Sequence, residues 1–417
     1  MKKVFVRAPV LTRSGYGEHA RMIVDALSTR PELFDLYLEP INWGNTPWIT
    51  DFDHRRKYYD FLAKKKQQFN GPFDLSIQVT IPPEFKKYAT KNIGVTAGIE
   101  SDRVSPGWIQ FANEMDLMIV TSKHALDGFM RNDVQANLPN GQVVPLKYNT
   151  DTEIINYPVK YTEPEDLSDK IDLPHDFNFL TISQWGPRKN LPALIKWFVE
   201  EFHDEEIGLV VKTNKAKNCL SDRMVCTDMI KQILQPFPDK KCGVHLLHGN
   251  MTEEEIHGIY LHPKIKAYVT TTHGEGYGLP LFEAAYSGMP IAAPGWSGHM
   301  DFLCINKNKS NGKVSRQTMF EKIGYDIAPI QEEAVWENVL EKDSQWCYPK
   351  EHKSKSTMRK LYENHKAKKN TAMALKDSLF ETHSEDIIQK QVVDAVLKVS
   401  PDTSKEWQSD INQVGTL

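Results

Sequence analysis

No apolar run in this 417-residue sequence approaches the roughly 18 residues that a membrane helix needs. The N-terminal MKKVFVRAPVLTRSGYG carries two lysines, but its apolar stretch is cut short by Arg7 and does not suit a signal peptide. Cysteine is scarce. The five present, Cys219, Cys226, Cys242, Cys304 and Cys347, are odd in number and show no CxxC spacing, so neither a disulfide framework nor a zinc ribbon is expected. Neither sign of charge is in large excess. Lys and Arg number 51 against 55 Asp and Glu, a net charge of -4, which supplies no global basic field for nucleic acid or an anionic membrane. Internal repeats and low-complexity tracts are missing. These absences together point to a cytoplasmic globular protein with reduced thiols.

Hydrophobic residues make up 40% of the chain and charged residues 25%, and the length suits two domains better than one. The most informative stretch runs from Ile265 to Gly298. Ile265 to Thr272 (IKAYVTTT) is β-branched and aromatic, a strand by composition. His273-Gly274-Glu275-Gly276-Tyr277-Gly278 follows as a glycine loop. Leu279 to Ser287 reads as a short helix, with Pro280 in its first turn and Gly288 as its stop. Pro290 to Pro294 resumes as a strand, and Gly295-Trp296-Ser297-Gly298 closes the unit. Such a unit suits an anionic ligand, because glycines let the backbone approach closely and the first N–H groups of a helix attract phosphate. A helical Glu283 faces the same crevice one turn in, where a carboxylate accepts hydrogen bonds from sugar or ribose hydroxyls.

Glu275-Gly-Tyr-Gly-Leu-Pro-Leu-Phe-Glu283-Ala-Ala-Tyr-Ser-Gly-Met-Pro resembles the E-x7-E signature of retaining, nucleotide-sugar-dependent glycosyltransferases of the GT-B fold, the large group-four family. The resemblance implies two Rossmann-like lobes with parallel sheets facing across a cleft, and C-terminal helices crossing back to the first lobe. It implies a domain division into an acceptor-side lobe (1–160), a nucleotide-sugar-binding lobe (161–370) and terminal helices (371–417). It also implies hexosyl transfer from a UDP- or GDP-sugar to an acceptor hydroxyl, with no cofactor beyond the donor and no metal. In that scheme Glu275 holds donor-sugar hydroxyls, Glu283 the nucleotide ribose, and Gly276, Tyr277, Gly278 and Leu279 the helix entrance that meets the diphosphate.

The rest of the chain fits two lobes. Lys3 to Val10 reads as a strand, Ser14-Gly15-Tyr16-Gly17 as a loop, and Glu18 to Thr29 as a helix with Ala20, Ile23, Val24 and Leu27 on one face. Strands follow at Phe34 to Ile41, Phe73 to Val79, Asn92 to Ala97 and Asp116 to Thr121, with a last one at Gln142 to Lys147. Gly15-x-Gly17-x-x-Ala20 with Glu39 also fits a dinucleotide fingerprint, which keeps an NAD-linked oxidoreductase open; four residues between Val10 and Gly15 count against it. By resemblance, Gly15 and Gly17 instead approach the donor diphosphate from the opposite lobe. The family's histidine after the fourth strand has no counterpart between Asn92 and Asp102, so Glu100 or Asp102 is expected there. Asn149 to Asp176 is polar and reads as a linker.

In the second half, Phe179 to Gln184, Ile207 to Lys212 and Gly243 to His248 read as strands, and Thr252-x-x-Glu255 as a capping box. Lys189 matches a family lysine that grips the diphosphate, and Arg188 stands in for a basic residue missing at Ser183-Gln184. His273 and His299 flank the site as polar lining. From Trp336 onward a helical, charged tail is expected. Asp51-Phe52-Asp53 has D-x-D spacing but no strand to aim it, and reads as a charged loop. Basic clusters at Arg55 to Lys66 and Lys353 to Lys369 leave an anionic acceptor open among glycan, lipid-linked sugar, protein and hydroxylated nucleic-acid base. A non-catalytic nucleotide-sugar-binding protein of the same fold is the remaining alternative.

Overall fold

Apolar runs rich in valine, isoleucine and leucine, with little polar alternation, are what strands buried on both faces require, and here they build two all-parallel sheets. The computed structural model describes residues 1–50, 54–131, 134–137, 143–308 and 314–400. The D-x-D candidate Asp51 to Asp53, Gln142 and the last part of the 371–417 unit lie outside the described residues. The first sheet runs, in spatial order, Phe34–Pro40, Lys2–Ala8, Phe73–Val79, Ala89–Thr96, Leu117–Val120, Thr152–Ile154. The second runs Gly243–Leu247, Gly208–Asn214, Asn178–Gln184, Ile265–Val269, Ile291–Pro294, Glu321–Ile323. Each order reverses beside its opening strand. The reversal falls between Lys2–Ala8 and Phe73–Val79 in the first sheet, and between Asn178–Gln184 and Ile265–Val269 in the second. Loops leaving the carboxyl ends at a reversal diverge and open a crevice. Residues from both crevices line one cavity between the lobes.

Helices form where the apolar period was read. Ala20, Ile23, Val24 and Leu27 are buried along Gly15–Ser28, and Leu191, Leu194, Ile195 and Phe198 along Leu191–Phe202. The Thr252–Glu255 capping box closes at both ends.

Three expectations fail. Val143–Leu146 pairs antiparallel with Val134–Asn137 in a hairpin outside the main sheet, and the sixth strand is Thr152–Ile154, inside the stretch read as a linker. That stretch is not free chain. Ile155, Tyr157, Val159, Leu167 and Leu173 are buried, and the Val159 N–H donates to the His383 carbonyl at 2.7 Å. Third, the chain beyond Trp336 becomes helical only at Glu351, because Gln345–Pro349 first pairs antiparallel with Tyr325–Pro329.

The helices Glu351–Glu363, His365–Thr382 and Glu385–Val399 then follow, and the last packs on Gly15–Ser28 of the first lobe. The 370/371 division falls inside His365–Thr382. The basic clusters are largely neutralised within the chain. Arg359 meets Glu201 and Glu205, Lys360 and Lys368 meet Glu321, and Arg55 meets Asp25 and Glu253. They do not form a bare cationic surface. Among the described residues, no helix is long and apolar enough to cross a membrane.

Candidate active site

The strand Ile265–Val269 carries the chain into the cleft, where Gly278, at φ 98°, adopts a left-handed conformation that few side chains tolerate. That turn starts the helix Leu279–Tyr286, whose first residues line the cleft, so the positive end of the helix dipole lies at its wall. Ahead of it, the Glu275 N–H donates to Ser297 Oγ at 2.9 Å, fixing the loop. The Glu275 carboxylate receives Lys189 Nζ at 2.5 Å and Arg188 Nη1 at 3.1 Å. Arg188 also donates to the Gly274 carbonyl at 2.7 Å and meets Glu100 at 3.1 Å. One guanidinium thus joins a carboxylate from each lobe. Burial alone pushes the Glu275 carboxyl up, but Lys189 and Arg188 outweigh it and hold it down to about 2. Glu283 has no such cation. It accepts a hydrogen bond from the Tyr260 hydroxyl at 2.8 Å, and burial pushes its carboxyl up to about 7.

The first lobe supplies the facing wall. Ser14 caps the helix Gly15–Ser28 by accepting from the Gly17 N–H, so Gly15, Tyr16 and Gly17 form the first helical turn and not a loop. Gly15 and Tyr16 line the cavity, but Gly17 does not. A Cβ on Gly17 would lie 2.0 Å from the Thr12 carbonyl oxygen, so this glycine serves backbone packing, and its expected donor contact is corrected. The Tyr16 hydroxyl bonds Thr96 Oγ1 at 2.8 Å and accepts from the Ala97 N–H at 3.3 Å.

Of the two acids after Thr96, only Glu100 lines the cavity. Asp102 is spent elsewhere, its Oδ1 accepting from the Gln345 N–H at 2.6 Å. Glu39 lies outside the cavity, against Arg7 and Lys66, which removes the ribose-binding acid of the dinucleotide reading. His273 and His299 do not line the cavity either. The His273 ring bonds the Cys347 carbonyl at 2.7 Å and stacks on Trp346, while the His299 ring bonds the Pro294 carbonyl at 2.7 Å.

The cavity has a volume of about 780 Å³, within the usual range for ligand sites. Gly276, Tyr277, Leu279 and Glu283 line it together with Arg188, Lys189 and Glu275. Sequence reasoning missed Tyr260, Lys160 and Lys212, because none belongs to a local motif. Lys160 pairs with Glu18 at 2.6 Å across the wall, and Lys212 donates to the Gly249 carbonyl at 3.0 Å, with burial lowering its ammonium to about 8. Asp222, Cys226 and His248 are close enough to hold a metal, but Asp222 already accepts from the Lys215, Ala216 and Asn218 N–H groups and bonds the His248 ring at 3.0 Å. That carboxylate anchors a loop.

No family model matches the chain, and no curated protein matches it in sequence. Solved structures do match it in fold. A sucrose-phosphate synthase from Thermosynechococcus elongatus is similar with a TM-score of 0.62 at 11% identity, over 95% of this chain and 99% of that one. HepE from Anabaena, solved with UDP and glucose, is similar with a TM-score of 0.55 at 13% identity, over 95% and 100%. An E. coli trehalose-6-phosphate protein bound with UDP-2-fluoro glucose gives 0.55 at 10%, over 96% and 100%. The chain has the GT-B fold these structures share.

Proposed function

We propose that this chain transfers a glycosyl group from a nucleotide-sugar to an acceptor hydroxyl with retention at the anomeric carbon. The observation that carries the reading is the cluster of Arg188, Lys189, Glu275 and Glu100, set beside the N-terminus of Leu279–Tyr286 at the switch point of the second sheet. UDP-sugars are the first donors to test, since HepE was solved with UDP and glucose.

In the free protein Glu275 holds the two cations in place. An incoming diphosphate competes for them and, with the helix N-terminus and the Gly15 backbone, completes an anion site; Tyr277 walls it. Glu275 then turns to the sugar hydroxyls, and Glu283 to the ribose. Release of Arg188 frees Glu100 to take the acceptor proton. The acceptor oxygen bonds the anomeric carbon, and the bond from that carbon to the diphosphate oxygen breaks with its electron pair on the diphosphate. Arg188 and Lys189 meet that charge. Arg188 bridges Glu100 and Glu275, so a proton acceptor at Glu100 would stand beside a leaving-group cation, which supports attack from that side with retention. Neither Glu275 nor Glu283 acts as a covalent nucleophile. No step uses a cofactor or a metal.

Thermal-shift screening with UDP-, GDP- and ADP-sugars tests class and donor together. One donor is expected to raise the melting temperature, and Lys189→Ala and Glu283→Ala are each expected to lose at least tenfold in donor affinity or turnover while remaining folded. Full activity in both variants would overturn the reading.

A further inference from the structure

The acceptor end of the cavity is walled by aromatic rings. The Tyr16 ring, fixed through Thr96 and Ala97, stacks on Trp43 with centroids 3.8 Å apart and planes at 27°. Glu100 follows Ala97 by three residues. From the second lobe, the connection between Tyr325–Pro329 and Gln345–Pro349 reaches across to the same place. The Trp108 indole N–H donates to the Asn338 carbonyl at 2.9 Å, Ser105 Oγ donates to Glu341 at 2.7 Å, and Val339 is buried against Ile99 and Trp108. This strap carries Trp336, 61% exposed yet lining the cavity. Its opening turn, Glu332–Ala334, packs near the turn Pro187–Lys189 that holds the two cations. Two indoles, one from each lobe, therefore line the same cavity as Glu100.

The charge at this end selects among ligands that present a flat face. A nucleic-acid base also stacks on aromatic rings, but single-stranded nucleic acid needs a cationic groove for its phosphates. Here Glu100 and Glu84 both lie close enough to act on Tyr16, and the nearby Arg188 is engaged by two carboxylates. Carboxylates repel phosphate and accept hydrogen bonds from hydroxyls. A pyranose ring offers an apolar C–H face for indole and a rim of hydroxyls for carboxylate.

Resting on the glycosyl-transfer reading above, we propose that the acceptor is a neutral sugar unit of a glycan, held against Trp43 and Trp336 with its reacting hydroxyl at Glu100.

The test measures UDP release from UDP-glucose, or from whichever donor stabilises the protein, with maltose, cellobiose and lactose as neutral probes. Glucose 6-phosphate and a single-stranded oligonucleotide are the anionic ones. At least one neutral disaccharide is expected to accelerate release severalfold over hydrolysis. Trp336→Ala, an exposed position that spares the core, is expected to raise the acceptor KM about tenfold with the donor KM within twofold. Trp43→Ala does the same, and Trp43→Phe, which keeps a ring against Tyr16, restores most of the loss. Acceleration only by the phosphorylated sugar or the oligonucleotide overturns the proposal. So does acceleration by none of the probes, or an unchanged acceptor KM in both alanine variants. If no nucleotide-sugar binds at all, the glycosyl-transfer reading itself has failed.

Discussion

Glu275 and Glu283 come from one short motif, yet the fold gives them opposite electrostatics. Glu275 has two cations and stays ionised; Glu283 has a phenol and no bonded cation, and burial pushes its carboxyl up to about 7. Its folded value lies above the unfolded one near 4.5, so the native state binds more protons than the unfolded chain between those values. The stabilisation from this group is complete below about pH 4.5 and is lost as pH rises through about 7, at most about 3 kcal/mol. Glu283→Gln is expected to flatten that slope in urea melts of the unliganded protein between pH 5 and 8. Ligand binding runs the other way. If Glu283 accepts the ribose hydroxyls, the ionised form binds better, so UDP-glucose affinity measured by calorimetry should rise about tenfold from pH 6 to 8. UDP-glucose itself does not titrate there. A pH-independent affinity in the wild type would remove Glu283 from the ribose contact.

At the scale of elements, the helix Gly15–Ser28 is where a motif was legible and its geometry was not. Its two glycines look alike in the sequence, but a Cβ on Gly15 would lie 3.9 Å from Leu279, whereas on Gly17 it would lie 2.0 Å from the Thr12 carbonyl oxygen. Gly17→Ala should therefore cost about 1–3 kcal/mol in chemical denaturation, as overpacking does. Gly15→Ala should stay within about 0.5 kcal/mol and reveal itself only in donor affinity. Equal destabilisation by both would contradict this packing. The same contrast explains what else could be read in advance. Central strands such as Phe73–Val79 and Asn178–Gln184 were found because burial on both faces demands apolar runs. Thr152–Ile154 was missed because a three-residue edge strand is held by backbone pairing to Leu117–Val120 and needs no apolar pattern. Gln345–Pro349 reads in sequence as part of a helical tail because its partner strand lies some twenty residues earlier. That Lys189, Glu275 and Glu283 share one cavity was legible since they sit in local motifs. Trp43, Tyr260 and Trp336 were not, since only folding brings them to the cavity.

On the scale of the whole molecule, one helix lies between the cleft and the chain's terminal crossing. The N-terminus of Gly15–Ser28 walls the cavity, and Glu385–Val399 packs along the same helix. Ile388, Val392, Val393 and Val396 are buried there, and none lines the cavity. At about 1.5–3 kcal/mol per fully buried aliphatic side chain, the four contribute roughly 6–12 kcal/mol as an upper figure. That is comparable with the about 5–15 kcal/mol that holds a typical domain folded. The first lobe should therefore be strongly destabilised without this helix, although Glu385–Val399 lies more than 350 residues after Gly15–Ser28 in sequence. A chain ending at Ser384 is expected to show a calorimetric transition for the first lobe at least about 10 °C below that of the full chain. It should also lose stabilisation by UDP-glucose. Val392→Asp with Val396→Asp in the full-length chain should reproduce both effects, which separates loss of packing from loss of length. The second sheet is completed by its own six strands, so its transition should move much less. A truncated chain that melts like the full one and still responds to UDP-glucose would mean that the first lobe is stable on its own and that the crossing helix only decorates it.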